Sequence, residues 1–196
     1  MNQLRAVDWT TQALPLSRQR DSDEQVIRVD WNDRALGPGG KLEVHQGGLL
    51  HRAFSIFVFD WRNRLLLQRR ADGKYHFAGL WSNTCCGHPR PGETTYHAAA
   101  RRLEEEFGFV TPLDEFSEFV YRAWDPVSSL VEYEYLHVFR GVFSARPQPN
   151  PDEVGSWRWM SLPRVRHEIR RSPSAFTPWF ALLLRRIFST DAARRA

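Results

Sequence analysis

The sequence predicts an α/β or α+β sandwich, a sheet covered by helices. Three observations predict it. Residues 51–60 carry Phe54, Ile56, Phe57, Val58 and Phe59 in a nearly continuous apolar run, as in a strand covered on both faces. Residues 93–107 repeat Ala99, Leu103 and Phe107 at four-residue spacing and close on Gly108, the pattern of an amphipathic helix with a glycine cap. Strand-like and helical segments then interleave along the chain instead of separating into blocks.

In order, residues 1–24 are polar and weakly periodic apart from Trp9 and Leu14-Pro15-Leu16, and read as an extension, a candidate for disorder. Residues 25–30 alternate as a strand, and Asn32-Asp33 and Gly37-Pro38-Gly39-Gly40 mark turns. After the strand at 51–60, Trp61-Arg62-Asn63 turns the chain and residues 64–68 pair back. The helix at 93–107 follows. Residues 118–124 and 131–142 read as strands. In the second, Val131, Tyr133, Tyr135 and Val138 are set against Glu132, Glu134 and His137, an apolar face against a carboxylate-bearing one. Residues 155–160 make a short strand. Residues 162–170 and 177–188 read as helices, the second with Pro178 near its start, and residues 189–196 as a basic tail. This leaves one domain, residues 25–188, with no internal repeat.

The 196 residues are 42% hydrophobic and 13% aromatic, enough for a substantial core. A net charge of +4 points to anionic partners: nucleic acid, a lipid surface or phosphorylated small molecules. The Arg residues form no single stripe, which argues against nucleic acid. The two cysteines are adjacent, where a disulfide is strained and rare, so reduced thiols and a cytoplasmic setting are expected. No apolar run approaches the length of a membrane span, and the N-terminus lacks the apolar core of a signal peptide. A monomer or weak dimer is expected.

The segment Asn83-Thr84-Cys85-Cys86-Gly87-His88-Pro89 puts a thiol two residues from an imidazole, ahead of a helix ending in Glu104, Glu105 and Glu106. Carboxylates there oppose the helix macrodipole, so they are either a solvated acidic face or a place for a cation. From Gly87, five residues lead to Glu93, seven more to Arg101, then Arg102-Leu103-Glu104-Glu105-Glu106-Phe107-Gly108-Phe109. This resembles the Nudix box. The resemblance implies a Nudix fold, a mixed sheet between helices, and a loop–helix–loop whose carboxylates hold a divalent cation against a diphosphate. Arg102 stands where the box has a second glutamate. That departure puts hydrolysis in doubt and adds a charge for phosphate.

His45, His51 and His88, with Glu132 and Glu134 two apart on a strand, could make a five-ligand site open to a further ligand. The mixed nitrogen and oxygen set suits Mn²⁺, Mg²⁺ or Zn²⁺. The matching text also includes His51-Arg52-Ala53-Phe54-Ser55, Leu65-Leu66-Leu67-Gln68-Arg69-Arg70, Tyr121-Arg122-Ala123 and Thr177-Pro178-Trp179-Phe180. Together they resemble the type I isopentenyl-diphosphate isomerases over residues 25–188.

The resemblance implies interconversion of isopentenyl and dimethylallyl diphosphate by protonation and deprotonation of the double bond. It implies Cys86 and Glu134 as the acid–base pair, with Tyr121 beside Glu134 on the protonating side. It implies His45, His51, His88, Glu132 and Glu134 as ligands of one metal, and Glu106 as ligand of a Mg²⁺ ion that arrives with the diphosphate. Arg70, Lys74 and Arg102 would hold the diphosphate. Trp179 would face the cationic carbon, with Trp81 as a second wall, and Cys85 would pack away from the site. The rival readings are a Nudix hydrolase of a nucleoside diphosphate derivative and a binding module for phosphorylated ligands.

Overall fold

A computed structural model describes residues 24–74 and 76–188. The expected N-terminal extension, apart from Glu24, and the C-terminal tail lie outside the described residues.

The elements run β1 (Gln25–Val29), β2 (Ala35–Gly40), α1 (Lys41–Gly47), β3 (His51–Phe59), β4 (Arg64–Arg70), β5 (Trp81–Ser82), β6 (Cys85–Gly87), α2 (Thr95–Phe107), β7 (Leu113–Trp124), β8 (Val131–Val142), β9 (Val154–Ser161), α3 (Leu162–Arg171), a 3-10 turn (Pro173–Ala175) and α4 (Pro178–Phe188). Among the described residues the strands join in one nine-stranded mixed sheet. β3 is its axis. It pairs in parallel with β8 from His51↔Glu134 to Phe59↔Val142, and antiparallel with β1, β4 and β6 along its other edge.

The apolar run in β3 is explained by the two layers it separates. Phe54, Ile56 and Val58 point to one face, where Ala98, Ala99, Leu103 and Phe107 of α2 cover them. Ala53, Phe57 and Phe59 point to the other, against Trp179, Phe180, Leu183 and Leu184 of α4 and Val165 of α3. β4 divides the same way, with Leu66 toward α2 and Leu65 and Leu67 toward α4. Full burial of one such side chain stabilises the fold by about 1.5–3 kcal/mol.

Four expectations need correction. The glycine-rich stretch 37–40 is strand β2, not a turn. It pairs only with β1, and an edge position tolerates Pro38 because the proline withholds no ladder bond that a further strand would need. The helix α1 that follows left no clear periodicity in seven residues. The helix at 93–107 begins at Thr95. Thr94 caps it by accepting from His97 N at 3.2 Å, while Glu93 accepts from Arg90 N and the Arg101 guanidinium. On β8, His137 shares a face with Tyr133 and Tyr135, not with the glutamates, and it contacts Glu115 and Asp33. Val138 lies with Glu132 and Glu134 on the other face, which is the buried one.

Helix α2 ends on Gly108 at φ 70°, whose N–H bonds Glu104 O at 2.8 Å. A Cβ there would lie 2.8 Å from the Gln148 carbonyl oxygen. Gly108→Ala therefore meets both left-handed strain and a backbone clash, and should lower the unfolding free energy by about 1–3 kcal/mol in urea titration. An unchanged midpoint would contradict this account of the cap.

Candidate active site

One open cavity of about 1120 Å³ brings the chemistry together. Cys86, His76, His88, Tyr121, Glu132, Glu134 and Trp179 border it, together with Arg70, Lys74, Arg102 and Glu106. The sheet does the positioning. Residues 51, 53 and 55 of β3 share a face, and across the strand edges His51 is level with Glu134 and Ser55 with Cys86. Tyr121 on β7 is level with Glu134 in turn, and its hydroxyl donates to that carboxyl.

The donor atoms of His45, His51, His88 and Glu132 lie within 4.8 Å of one another, so four of the five expected ligands form one group that could hold a metal ion. Glu134 stands outside that group and touches it through His88, with Oε1 at 3.2 Å from Nε2. The tautomers fit a metal pocket. His45 Nδ1 donates to Lys41 O at 2.6 Å, which leaves its Nε2 toward Glu132, and His51 Nδ1 donates to Leu49 O at 2.9 Å, which turns the His51 Nε2 lone pair inward. His51 Nε2 faces His88 Nε2 at 3.1 Å. Burial holds the His51 pKa down at about 4 and His88 well below its usual range. His51 and His88 thus resist protonation; burial would lower His45 too, but Glu132, with Oε2 at 3.2 Å from His45 Nε2, raises it, and the four donors together are a set suited to a divalent cation.

Burial alone would raise Glu132, but hydrogen bonds from His45 and His76 outweigh it and hold the carboxyl well below the carboxylate range. Glu134 moves the other way: burial, then the charge of Glu132, pushes it well above that range. The two glutamates are therefore shifted in opposite directions although they are two residues apart.

The adjacent cysteines also divide. Cys85 is fully buried among Phe54, Leu103 and Phe107, as its alternate position requires. Cys86 reaches the cavity and bridges no disulfide. Its Sγ is 3.2 Å from Ser55 Oγ, 3.2 Å from Asn83 Nδ2 and 3.3 Å from Asn83 Oδ1. Asn83 Oδ1 thus offers an acceptor to the thiol, and Ser55 Oγ can donate to the thiolate. Burial pushes the thiol up to about 12, against the lowering effect of Ser55 and Asn83.

At the other end of the cavity the carboxylates of α2 are not a uniform solvated face. Glu104 is exposed, but Glu105 and Glu106 bind Arg102 at 2.8 and 2.6 Å, and Glu106 also accepts from Gln68 Nε2 at 3.0 Å. Arg102 reaches a third carboxylate, Glu153, at 3.0 Å, and Lys74 pairs with the same Glu153. Burial opposes the charge on Arg102, yet Glu106 and Glu153 more than offset it and keep the guanidinium protonated. Arg70 donates to His76 O at 3.1 Å and lies 5.7 Å from the Trp179 ring centroid. Trp179 is pinned by its Nε1–H to Ser82 Oγ at 3.1 Å and by the edge of Phe77. Trp81 does not border the cavity. Its ring carries the Arg158 guanidinium at 4.0 Å, so the expected second wall is absent there.

Sequence reasoning missed His76, Glu153, Asn83 and Ser55 as members of the site. His76 and Glu153 sit beside turns with no periodicity, and only the fold brings them to the cavity. Asn83 and Ser55 lie within the matching text but carry no signal of their contact with sulfur.

Comparison with known proteins places this geometry. The NUDIX domain family matches residues 49–180. An isopentenyl-diphosphate Delta-isomerase of Serratia proteamaculans is 49% identical over 174 residues, covering 89% of this chain and 97% of that protein. A protein of the same description from Halorhodospira halophila is 51% identical over 163 residues, covering 82% and 93%. Among solved structures, DR0079 from Deinococcus radiodurans shares the fold with a TM-score of 0.70 at 20% identity, covering 84% of this chain and 99% of that one. A MutT protein from Methanosarcina mazei does so with a TM-score of 0.60 at 17% identity, covering 75% and 96%.

The raised pKa of Cys86 carries a reactivity with a definite sign: the thiolate accumulates only as pH approaches 12. In metal-free protein between pH 7 and 9, iodoacetamide should alkylate Cys86 at least ~100-fold more slowly than in the urea-unfolded chain, since the thiolate is the nucleophile and an unperturbed thiol titrates near 8.5. Peptide mass spectrometry of timed quenches measures this. Equal rates would mean that the thiol is not held protonated.

Proposed function

This chain belongs to the NUDIX domain family and, within it, to the isopentenyl-diphosphate Delta-isomerases, and from that premise we propose that it interconverts isopentenyl and dimethylallyl diphosphate at the cavity described above. The observation that carries the reading is that Cys86 and Glu134 approach one cavity from opposite edges of β3, with cations at its far end.

Moving the double bond needs a proton delivered to an unactivated alkene and another removed from a neighbouring carbon. Glu134 suits the delivering role, because burial and the charge of Glu132 keep its proton on, and the Tyr121 hydroxyl fixes its orientation. Cys86 suits the accepting role, because Ser55 Oγ is already placed to donate to negative charge on sulfur. His45, His51, His88 and Glu132, with Glu134 beside them, would hold a Mn²⁺, Mg²⁺ or Zn²⁺ ion, whose positive charge would favour the thiolate form of Cys86 and polarise nearby carboxyl groups. Trp179 supplies an electron-rich face for a developing carbocation, worth roughly 2 kcal/mol in a desolvated site.

Arg70, Lys74 and Arg102 are the diphosphate cations in this reading, and Glu106, with the Cys86 carbonyl, the ligand of a Mg²⁺ ion accompanying the substrate. Arg102 also favours isomerase over hydrolase. A guanidinium occupies the position where a further carboxylate would gather metal, and it neutralises Glu105, Glu106 and Glu153 instead. In this reading the protein works in the cytoplasm on a small isoprenyl diphosphate, as a monomer or weak dimer. Among the described residues no helix is long and apolar enough to cross a membrane.

Incubation with isopentenyl diphosphate and Mg²⁺ in D₂O, followed by NMR, should give dimethylallyl diphosphate carrying solvent deuterium. Released phosphate without isomer would instead establish the hydrolase. Cys86→Ala and Glu134→Gln should each lower kcat by about 10²–10⁴-fold or more with an unchanged circular dichroism spectrum. Near-normal turnover in either would remove that residue from the acid–base pair.

A further inference from the structure

His76 is buried at 8% exposure, borders the cavity and bonds Glu132, yet it is not one of the imidazoles that cluster for a metal. Its Nε2 lies 2.5 Å from Glu132 Oε1. The other oxygen of the same carboxylate, Oε2, lies 3.2 Å from His45 Nε2. The two oxygens of Glu132 are thus committed to different partners. His76 stands outside the group whose donor atoms lie within 4.8 Å of one another, and its ring centroid is 5.8 Å from that of His45. It reaches the cluster through Glu132.

We propose that His76 is a positioning residue: it donates from Nε2 to Glu132 Oε1, so that Oε2 alone is presented to the metal pocket formed by His45, His51 and His88. A carboxylate free to turn can bind a cation through one oxygen or two. With Oε1 occupied by a buried donor, two-oxygen binding costs that hydrogen bond. Glu132 then takes a single coordination position and leaves space beside Glu134.

The backbone fixes His76 for this role. Its carbonyl accepts from Arg70 NH2 at 3.1 Å. The next residue, Phe77, has φ 49°, uncommon for a bulky side chain, and is held there as its N–H donates to Asp125 Oδ2 at 3.3 Å and its ring meets Trp179 at 5.0 Å between centroids. Arg70 ends β4, and Lys74 and His76 lie in the connection after it, so one short segment supplies two cations for the diphosphate and a hydrogen bond to Glu132.

The inference rests on the metal reading given above and is tested without turnover. Mn²⁺ is titrated into metal-free protein by calorimetry, and the bound ion is examined by electron spin-echo envelope modulation, which counts coordinated imidazole nitrogens. The wild-type protein should show three imidazoles. His76→Ala should weaken Mn²⁺ binding about 10- to 100-fold while three imidazoles remain. His76→Gln, whose amide N–H sits close to the place of Nε2, should recover most of that loss. An unchanged Mn²⁺ affinity in His76→Ala, no recovery in His76→Gln, or a fourth imidazole in the wild type would each overturn the proposal. Should His76→Ala fail to fold, the wild-type imidazole count and the glutamine variant still decide it. A wild-type protein that binds no Mn²⁺ would overturn this inference together with the Mn²⁺ reading, while the D₂O experiment still judges isomerisation independently.

Discussion

The parallel pairing of β3 with β8 is the constraint on which the site depends. It runs from His51↔Glu134 to Phe59↔Val142, and side-chain alternation then decides everything along both strands. A slip of one residue would turn Glu132 and Glu134 out of the cavity and bring Tyr133 and Tyr135 in. The register is protected by what it buries. Phe57 and Phe59 pack under α4 while Ile56 and Val58 pack under α2, so β3 cannot shift without moving both layers. The catalytic end of the strand inherits its precision from the apolar end.

That precision is used to bury charge, which is costly unless every group has a partner. The cavity compensates its buried charge in two different ways. At the imidazole end, Glu132 is held ionised by His45 and His76, and its charge in turn keeps a proton on Glu134. At the guanidinium end, Arg102 and Lys74 are matched by Glu105, Glu106 and Glu153 before any substrate enters. A diphosphate arriving there must share cations that already have carboxylate partners. A divalent ion bound with it would restore the balance by taking up Glu106, which is one physical reason why substrate and Mg²⁺ are expected to bind together.

Much of this was legible in the sequence where a residue's role follows from spacing along one element. The run in β3, the four-residue repeat in α2, and Glu132 and Glu134 two apart on β8 each needed only local periodicity. Cys85 and Cys86 separated for the same reason. Legibility failed where contacts cross between elements. Glu153 enters the site because β9 pairs with β4, and His76 because the loop after β4 folds back toward β8. Parity was also misjudged once: His137 is an odd number of residues from Glu134, so it shares the outer face with Tyr135. The edge strand β2 was misread because its glycines and proline signal a turn unless the strand is known to have only one neighbour.

The two adjacent cysteines show how little sequence separates structure from chemistry. Burial raises both thiols, and one peptide unit lies between them. Cys85 packs among the apolar residues under α2, away from the cavity, with the Cys86 carbonyl and Glu106 as its polar contacts. Cys86 meets Ser55 and Asn83, and the latter is itself fixed by Nδ2–H bonds to Ile56 O and Cys85 O, each at 3.1 Å. A proton-transfer sulfur needs partners that tolerate both of its charge states without moving, since reorganisation at the moment of reaction would add to the barrier. Asn83, its amide nitrogen held by backbone carbonyls, presents Oδ1 to the thiol, and Ser55 Oγ can donate to the thiolate, which together meet that need. The thiol two residues from an imidazole therefore becomes a candidate acid–base group through the amide of the asparagine three residues before it, and the imidazole is left free to face the metal pocket.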